Sequence, residues 1–176
     1  QKSIWIQDLW PETINIFSKN ILLKFFIRNI SSVIYKRIDN FFISCEGFST
    51  SLTKNFNINK KKIFYAPNWS LNPYELNFKN DFNNKDIKIL YAGNVGRFQN
   101  LRIILECFVN SNCENITFEI LGEGSALSVL KKNFSNNPRI IFHKKVSVSQ
   151  TKSFFEKTDF VLLSLVQNNL FNIMMP

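Results

Sequence analysis

The sequence predicts an α/β protein in which two layers of parallel strands and helices follow one another along the chain. Two observations carry that prediction. Short apolar runs alternate with segments of helical periodicity, and a polar stretch without periodicity divides them into two sets. Strands that recur with a helix between each pair come together as parallel neighbours joined by right-handed crossovers. A hydrophobic content of 45%, with 19 Phe, is ample for a core and excludes a disordered chain despite the many Asn and Lys.

Taken in order, Ser3 to Gln7 reads as a strand and Ile21 to Ile38 as a long helix. Asn40 to Ser44 is a second strand, followed by a helix from about Phe48 to Phe56. Lys62 to Ala66 makes a third strand, ended by Pro67-Asn68 because proline has no N–H to give to a ladder. Residues 70–86 are polar, contain Pro73 and are rich in Asn and Lys, the composition of an interdomain linker. Strands are expected near 87–92, 116–121, 139–143 and 159–163, with helices between them. The expected organisation is therefore one domain over 1–69, a linker over 70–86 and a second domain over 87–176. A start at Gln1 and a stop at Met175-Pro176, with no cap closing the last segment, read as a piece of something larger.

Composition narrows the function classes. The Asn, Lys, Ile and Phe bias is what an AT-rich genome imposes, so sequons beginning at Asn29, Asn68, Asn115 and Asn133 carry little weight. Cys45, Cys107 and Cys113 are an odd number without metal spacing, which fits free thiols in a reducing cytoplasm. His143 has no Cys or His companion at ligand spacing, so no metal is expected. The formal net charge is +9, but the basic residues are scattered and no aromatic-basic motif accompanies them, so nucleic acid is not an expected partner.

Part of that charge lies in SKNILLKFFIRNISSVIYKR. On a helical projection Ile21, Leu22, Phe25, Phe26, Ile30, Val33 and Ile34 make an apolar band, flanked by Lys19, Lys24, Arg28, Lys36 and Arg37. Two readings fit: a helix lying on an anionic membrane surface, or a surface helix with its apolar side turned inward. Lys24 and Arg28 interrupt the apolar run and argue against a membrane span.

The stretch IKILYAGNVGRFQNL, Ile87 to Leu101, is the most informative. A buried-strand run empties into a loop with Gly93, Gly96 and Arg97, and a helical pattern with Leu101, Ile104, Leu105 and Phe108 on one face follows. Strand, glycine turn and helix start are the parts of an anion site: glycine lets the backbone approach a phosphate, and the first helical N–H groups meet it with partial positive charge. A plain tight turn fits the same residues.

The succession IWIQDLWPET, FFISCEGFSTSL, IFYAPNW, ILYAGNVGRFQNL, FEILGEGSAL, IIFH, DFVLLSL and a terminal MMP resembles glycosyltransferase family 4, in particular its bacterial surface-polysaccharide branch. Asp8 to Glu12 and Ala92 to Gly96 carry the resemblance most specifically. It implies a GT-B architecture, two Rossmann-like domains with the nucleotide-sugar donor held by the second, both incomplete in this chain. It implies retaining, metal-independent transfer of a hexosyl or acetamidohexosyl group, with no cofactor. The donor would be a UDP-sugar, and the acceptor a lipid-linked oligosaccharide of O-antigen or capsule synthesis at the inner leaflet of the cytoplasmic membrane. A truncated remnant that only binds nucleotide, and a sugar-nucleotide epimerase on the same fold, are the alternatives.

The resemblance also assigns residues. The donor diphosphate would meet Gly93, Asn94, Gly96, Arg97 and Gln99. Asn94 and Gln99 stand where the family usually places Arg and Lys, which leaves Arg97 as the loop's cation; a solvent-facing residue before the helix is its other reading. Gly122, Glu123 and Gly124 match the Gly-acid-Gly turn beside sugar and nucleotide, a turn that also fits a plain helix entry capped by Ser125. Phe142 and His143 end the strand that contacts the base, although a lone His at a strand end also serves structure. Asp8, closing the first strand before Trp10-Pro11, is the candidate that orients the acceptor hydroxyl, with an Asp capping the following turn as the alternative.

Overall fold

Parallel pairing of the short apolar runs builds two sheets. In the computed structural model, which describes residues 1–14, 18–69 and 86–168, those residues fall into two compact units, essentially 1–69 and 86–166. The expected linker at 70–86 lies outside the described residues except for Asp86, as does the terminal MMP.

In the first unit β1 (Ser3–Ile6), β2 (Asn40–Ile43) and β3 (Ile63–Tyr65) pair in parallel in the order β1-β2-β3. Two helices make the crossovers, α1 (Ile21–Tyr35) and α2 (Gly47–Phe56). Side chains alternate across a strand, so Ile6, Phe41 and Ile43 share one face. There they join Tyr35 of α1 and Phe48, Leu52 and Phe56 of α2 in a core. The opposite face carries Trp5, Phe42 and Phe64 in register across the sheet, all exposed, with Trp5 stacked on Trp69 at 5.4 Å. Asn20 starts α1 by accepting the N–H groups of Leu22 and Leu23, and Asn57 ends α2 in the left-handed conformation.

Of the two readings of helix α1, little of its apolar side is turned inward. It ends at Tyr35 rather than Ile38, and only Ser31 and Tyr35 are buried along it. Ile21 and Leu22 are each 79% exposed, and Phe25 and Phe26 are 66% and 62% exposed. The narrow strip Ile27, Ile30, Ser31, Ile34 and Tyr35 faces β1 across a groove, so the rest of the wide apolar band projects away from the sheet.

In the second unit β4 (Ile87–Ala92), β5 (Ile116–Leu121), β6 (Ile140–His143) and β7 (Phe160–Val161) form a parallel sheet in the order β6-β5-β4-β7. Helices α3 (Leu101–Val109) and α4 (Leu127–Phe134) place Leu101, Leu105, Leu130 and Phe134 against Tyr91, Phe118, Ile120 and Ile140 on one face. Helix α5 (Val148–Phe155) meets the other face, where Phe154 packs edge-on against the His143 ring at 4.9 Å. The chain steps outward from β4 to β6, then returns to the far side of β4. That reversal is a topological switch point, and ligands of open α/β sheets gather at the carboxyl ends of strands beside it.

Two local expectations change. A short 3₁₀ turn, Arg97–Gln99, intervenes before α3, so the helix does not open directly from the glycine loop. Ser125 does not cap α4, which begins after Ala126 without a side-chain cap; the N–H groups of Ala126 and Leu127 go instead to the carbonyls of Val95 and Gly124. Cys45 is buried, Cys107 and Cys113 are exposed, and none of the three is in a disulfide.

Candidate functional site

The loops leaving β4 and β5 are laced together before they diverge. The N–H of Gly93 donates to the carbonyl of Leu121, and the N–H of Val95 donates to that of Glu123, which extends the ladder beyond the strand ends. Tyr91 donates its hydroxyl to the carbonyl of Asn94 at 2.6 Å, and burial pushes that hydroxyl above the ordinary tyrosine range. The oxygen of the Gln99 side-chain amide accepts the N–H of Gly96 at 3.0 Å. Three loop amides are thus committed to protein acceptors.

The turn after β5 requires glycine. Gly122 and Gly124 have φ of +151° and +157°, conformations that L side chains rarely adopt. A Cβ on Gly122 would collide with the carbonyl oxygen of Gly93, and one on Gly124 with the backbone of Val95. The two loops approach so closely that backbone alone fits between them.

A cavity of about 720 Å³ opens over these strand ends. Ala92, Gly93 and Asn94 line it from β4, and Leu121, Gly122, Glu123 and Gly124 from β5. Lys145 and Val146 line it from the loop after β6, and Thr151 and Phe155 from α5. Its volume suits a nucleotide-sized ligand. Lys145 Nζ lies 3.3 Å from Glu123 Oε2, both side chains about two-thirds exposed.

The structure therefore gathers Gly93, Asn94, Gly122, Glu123 and Gly124 from the expected set around one cavity. Gly96 and Arg97 lie elsewhere, in a groove of about 570 Å³ with the N-terminal turn of α3 and with Ser125, Ala126 and Val129. Gln99 braces the loop through Gly96. Phe142 packs against the hydrophobic core, and His143 Nε2 sits 2.7 Å from Glu119 Oε2, with Lys88 Nζ 3.9 Å from the other carboxylate oxygen. Asp8 is exposed just beyond β1, in the first unit, in a groove of about 520 Å³ shared with Trp5, Trp10 and the inner strip of α1. Among the described residues no group of three His, Cys, Asp or Glu is placed to hold a metal ion.

Sequence reasoning missed Lys145, Val146, Thr151 and Phe155 as cavity residues. Lys145 was within reach: it lies two residues past the end of an expected strand, on the same edge of the sheet as both glycine turns. Thr151 and Phe155 carry no such signal, since their place depends on which face α5 covers.

No protein-family model matches the chain, and no curated protein matches it in sequence. Solved structures do resemble it. The lipopolysaccharide outer core galactosyltransferase WaaB, in its apo form, superimposes with a TM-score of 0.57 at 13% identity, over 73% of this chain and 37% of that one. A glycosyltransferase from Rickettsia africae ESF-5 gives 0.58 at 11% identity, over 79% of this chain and 42% of that one. A point mutant of S. aureus TarM, in complex with Fondaparinux, alpha-GlcNAc-glycerol and UDP, gives 0.58 at 15% identity, over 92% of this chain and 31% of that one. The chain has the α/β, parallel-sheet fold of these GT-B glycosyltransferases and spans less than half the length of each.

Proposed function

We propose that this chain belongs to a retaining, metal-independent glycosyltransferase that moves a sugar from a UDP-sugar to a lipid-linked oligosaccharide of surface polysaccharide synthesis. The observation that carries this reading is the 720 Å³ cavity at the carboxyl ends of β4 and β5, with a floor of backbone at Gly93, Gly122 and Gly124. A fold shared with a transferase solved with UDP supports the donor class.

In such a reaction the bond between the sugar and the diphosphate breaks, and negative charge grows on the departing β-phosphate. Preorganised donors in a site shielded from water stabilise that charge. Glu123, on the rim of the cavity, is suited to hold sugar hydroxyls. Asp8, exposed at the end of β1, is suited to accept a hydrogen bond from the acceptor hydroxyl.

The acceptor class rests on α1. Most of its apolar residues project away from the sheet, the helix carries Lys24 and Arg28, Lys19, Lys36 and Arg37 flank it, and no acidic residue interrupts Ile21–Tyr35. That pairing of exposed aromatics with cations fits an anionic lipid surface, where a lipid-anchored glycan would be presented. No helix among the described residues is long and apolar enough to cross a membrane.

Calorimetric titration of the full chain with UDP, GDP and ADP tests the donor assignment. UDP is expected to bind and the other two to bind at least tenfold more weakly. Preference for GDP or ADP would change the donor class, and binding of none of the three would overturn the reading.

A further inference from the structure

The cavity presents a problem of charge. A nucleoside diphosphate is strongly anionic, yet the glycine loop supplies Asn94 to the cavity and turns Arg97 into a separate groove. Gln99 is neutral and already engaged with the Gly96 N–H. The N–H groups of Gly93, Val95 and Gly96 are committed to protein acceptors as well. The cavity also carries one carboxylate, Glu123, which by itself would repel a phosphate.

We propose that Lys145 is the cation that receives the donor diphosphate, held in readiness by Glu123 and transferred from it to the phosphates when the nucleotide binds. This inference rests on the nucleotide-sugar reading and adds to it the residue that meets the phosphates. Among the described residues lining the cavity, Lys145 is the sole Lys or Arg. Its Nζ lies 3.3 Å from Glu123 Oε2, and the side chains are 67% and 63% exposed. An ion pair so open to water has a small net energy and opens readily. A phosphate inside the cavity offers the ammonium a doubly charged partner and charge-assisted hydrogen bonds, which are stronger. Lys145 extends from the loop after β6, at the same edge of the sheet as the glycine turns after β4 and β5.

The pair also predicts a sign for Glu123. With Glu123 neutralised, Lys145 is released and the repulsion of phosphate disappears, so a nucleotide without a sugar binds more tightly.

The test is calorimetric titration of the full chain and its variants with UDP and with uridine, which lacks the phosphates. Lys145→Ala is expected to weaken UDP by about tenfold to a hundredfold and to leave uridine unchanged. Lys145→Arg is expected to restore most of the loss, and Glu123→Gln to tighten UDP. Arg97→Ala is expected to change neither ligand. Because Lys145 is an exposed loop residue, its substitution leaves the fold intact, which circular dichroism verifies. UDP binding that survives Lys145→Ala but is lost in Arg97→Ala would overturn the inference and leave the nucleotide reading standing. A wild-type chain that binds none of UDP, GDP and ADP would overturn both.

Discussion

At the scale of single residues, glycine and tyrosine set the sharpest constraints. Gly124 is hemmed in by the backbone of Val95, and no side-chain rotation relieves that clash. Gly124→Ala is expected to push the β4 and β5 loops apart and to weaken UDP by at least tenfold, while far-ultraviolet dichroism stays native. Unchanged UDP affinity in the variant would show that the loop contact does not shape the cavity. Tyr35 gives a pH dependence. Its hydroxyl donates to the carbonyl of Trp10, and burial, together with the nearby Glu12 carboxylate, pushes its pKa up to about 12 from the usual 10.0. The folded chain thus holds this proton more tightly than the unfolded chain. The corresponding stability is fully present below pH 10 and is lost as pH rises from there through about 12. Urea unfolding across that window should steepen its decline in the wild type and flatten in Tyr35→Phe.

At the scale of elements, Arg139 ties the second unit together. Its guanidinium donates to the carbonyls of Cys113 at 2.7 Å and Val109 at 3.1 Å, with longer bonds to those of Ser111 and Phe108, and lies over the Phe108 ring at 4.8 Å. A cation at the C-terminal end of α3 meets both the unsatisfied carbonyls and the negative end of the helix dipole. Removal takes the guanidinium donor from the partly buried carbonyls of Val109 and Ser111. Arg139→Ala is expected to cost about 2 kcal/mol or more in urea unfolding, and Arg139→Lys to recover little, because an ammonium cannot span four carbonyls. Equal stability of wild type and Arg139→Ala would refute this account.

At the scale of the whole molecule, each unit has its own core and its own chemistry. The first is centred on Phe41 and Phe48, the second on Phe118 and Leu105. The net charge of +9 favours anionic surfaces generally, whereas α1 adds exposed aromatic side chains at a defined place. Co-sedimentation should therefore show binding to vesicles containing phosphatidylglycerol and much weaker binding to pure phosphatidylcholine. Replacing Phe25 and Phe26 by Ser should release the chain although its charge is unchanged. Persistent binding of that variant would assign the attachment to charge alone. Among the described residues, the sheet face with Trp5, Phe42 and Phe64 is likewise exposed, whereas parallel sheets are ordinarily covered on both faces.

The alternation of strands and helices was legible in the sequence because periodicity is local. Ile87–Ala92 and Ile116–Leu121 fall where an apolar run alone placed them. The glycine turn at Gly122 and Gly124 was legible for the same reason, since a backbone conformation that excludes side chains leaves its mark in residue type. What met what across the fold was decided by tertiary structure. Parallel crossovers bring Glu123 to Lys145 and Glu119 to His143, pairs separated by 22 and 24 positions, and no local pattern encodes such distances. Arg97, in the 3₁₀ turn before α3, lines a separate groove, and the position of α1 left most of its apolar band exposed. By itself the sequence determined where the backbone could bend and which runs could be buried. The packing of strands decided which charges share a site, because electrostatic partners are set by distance in space and not along the chain.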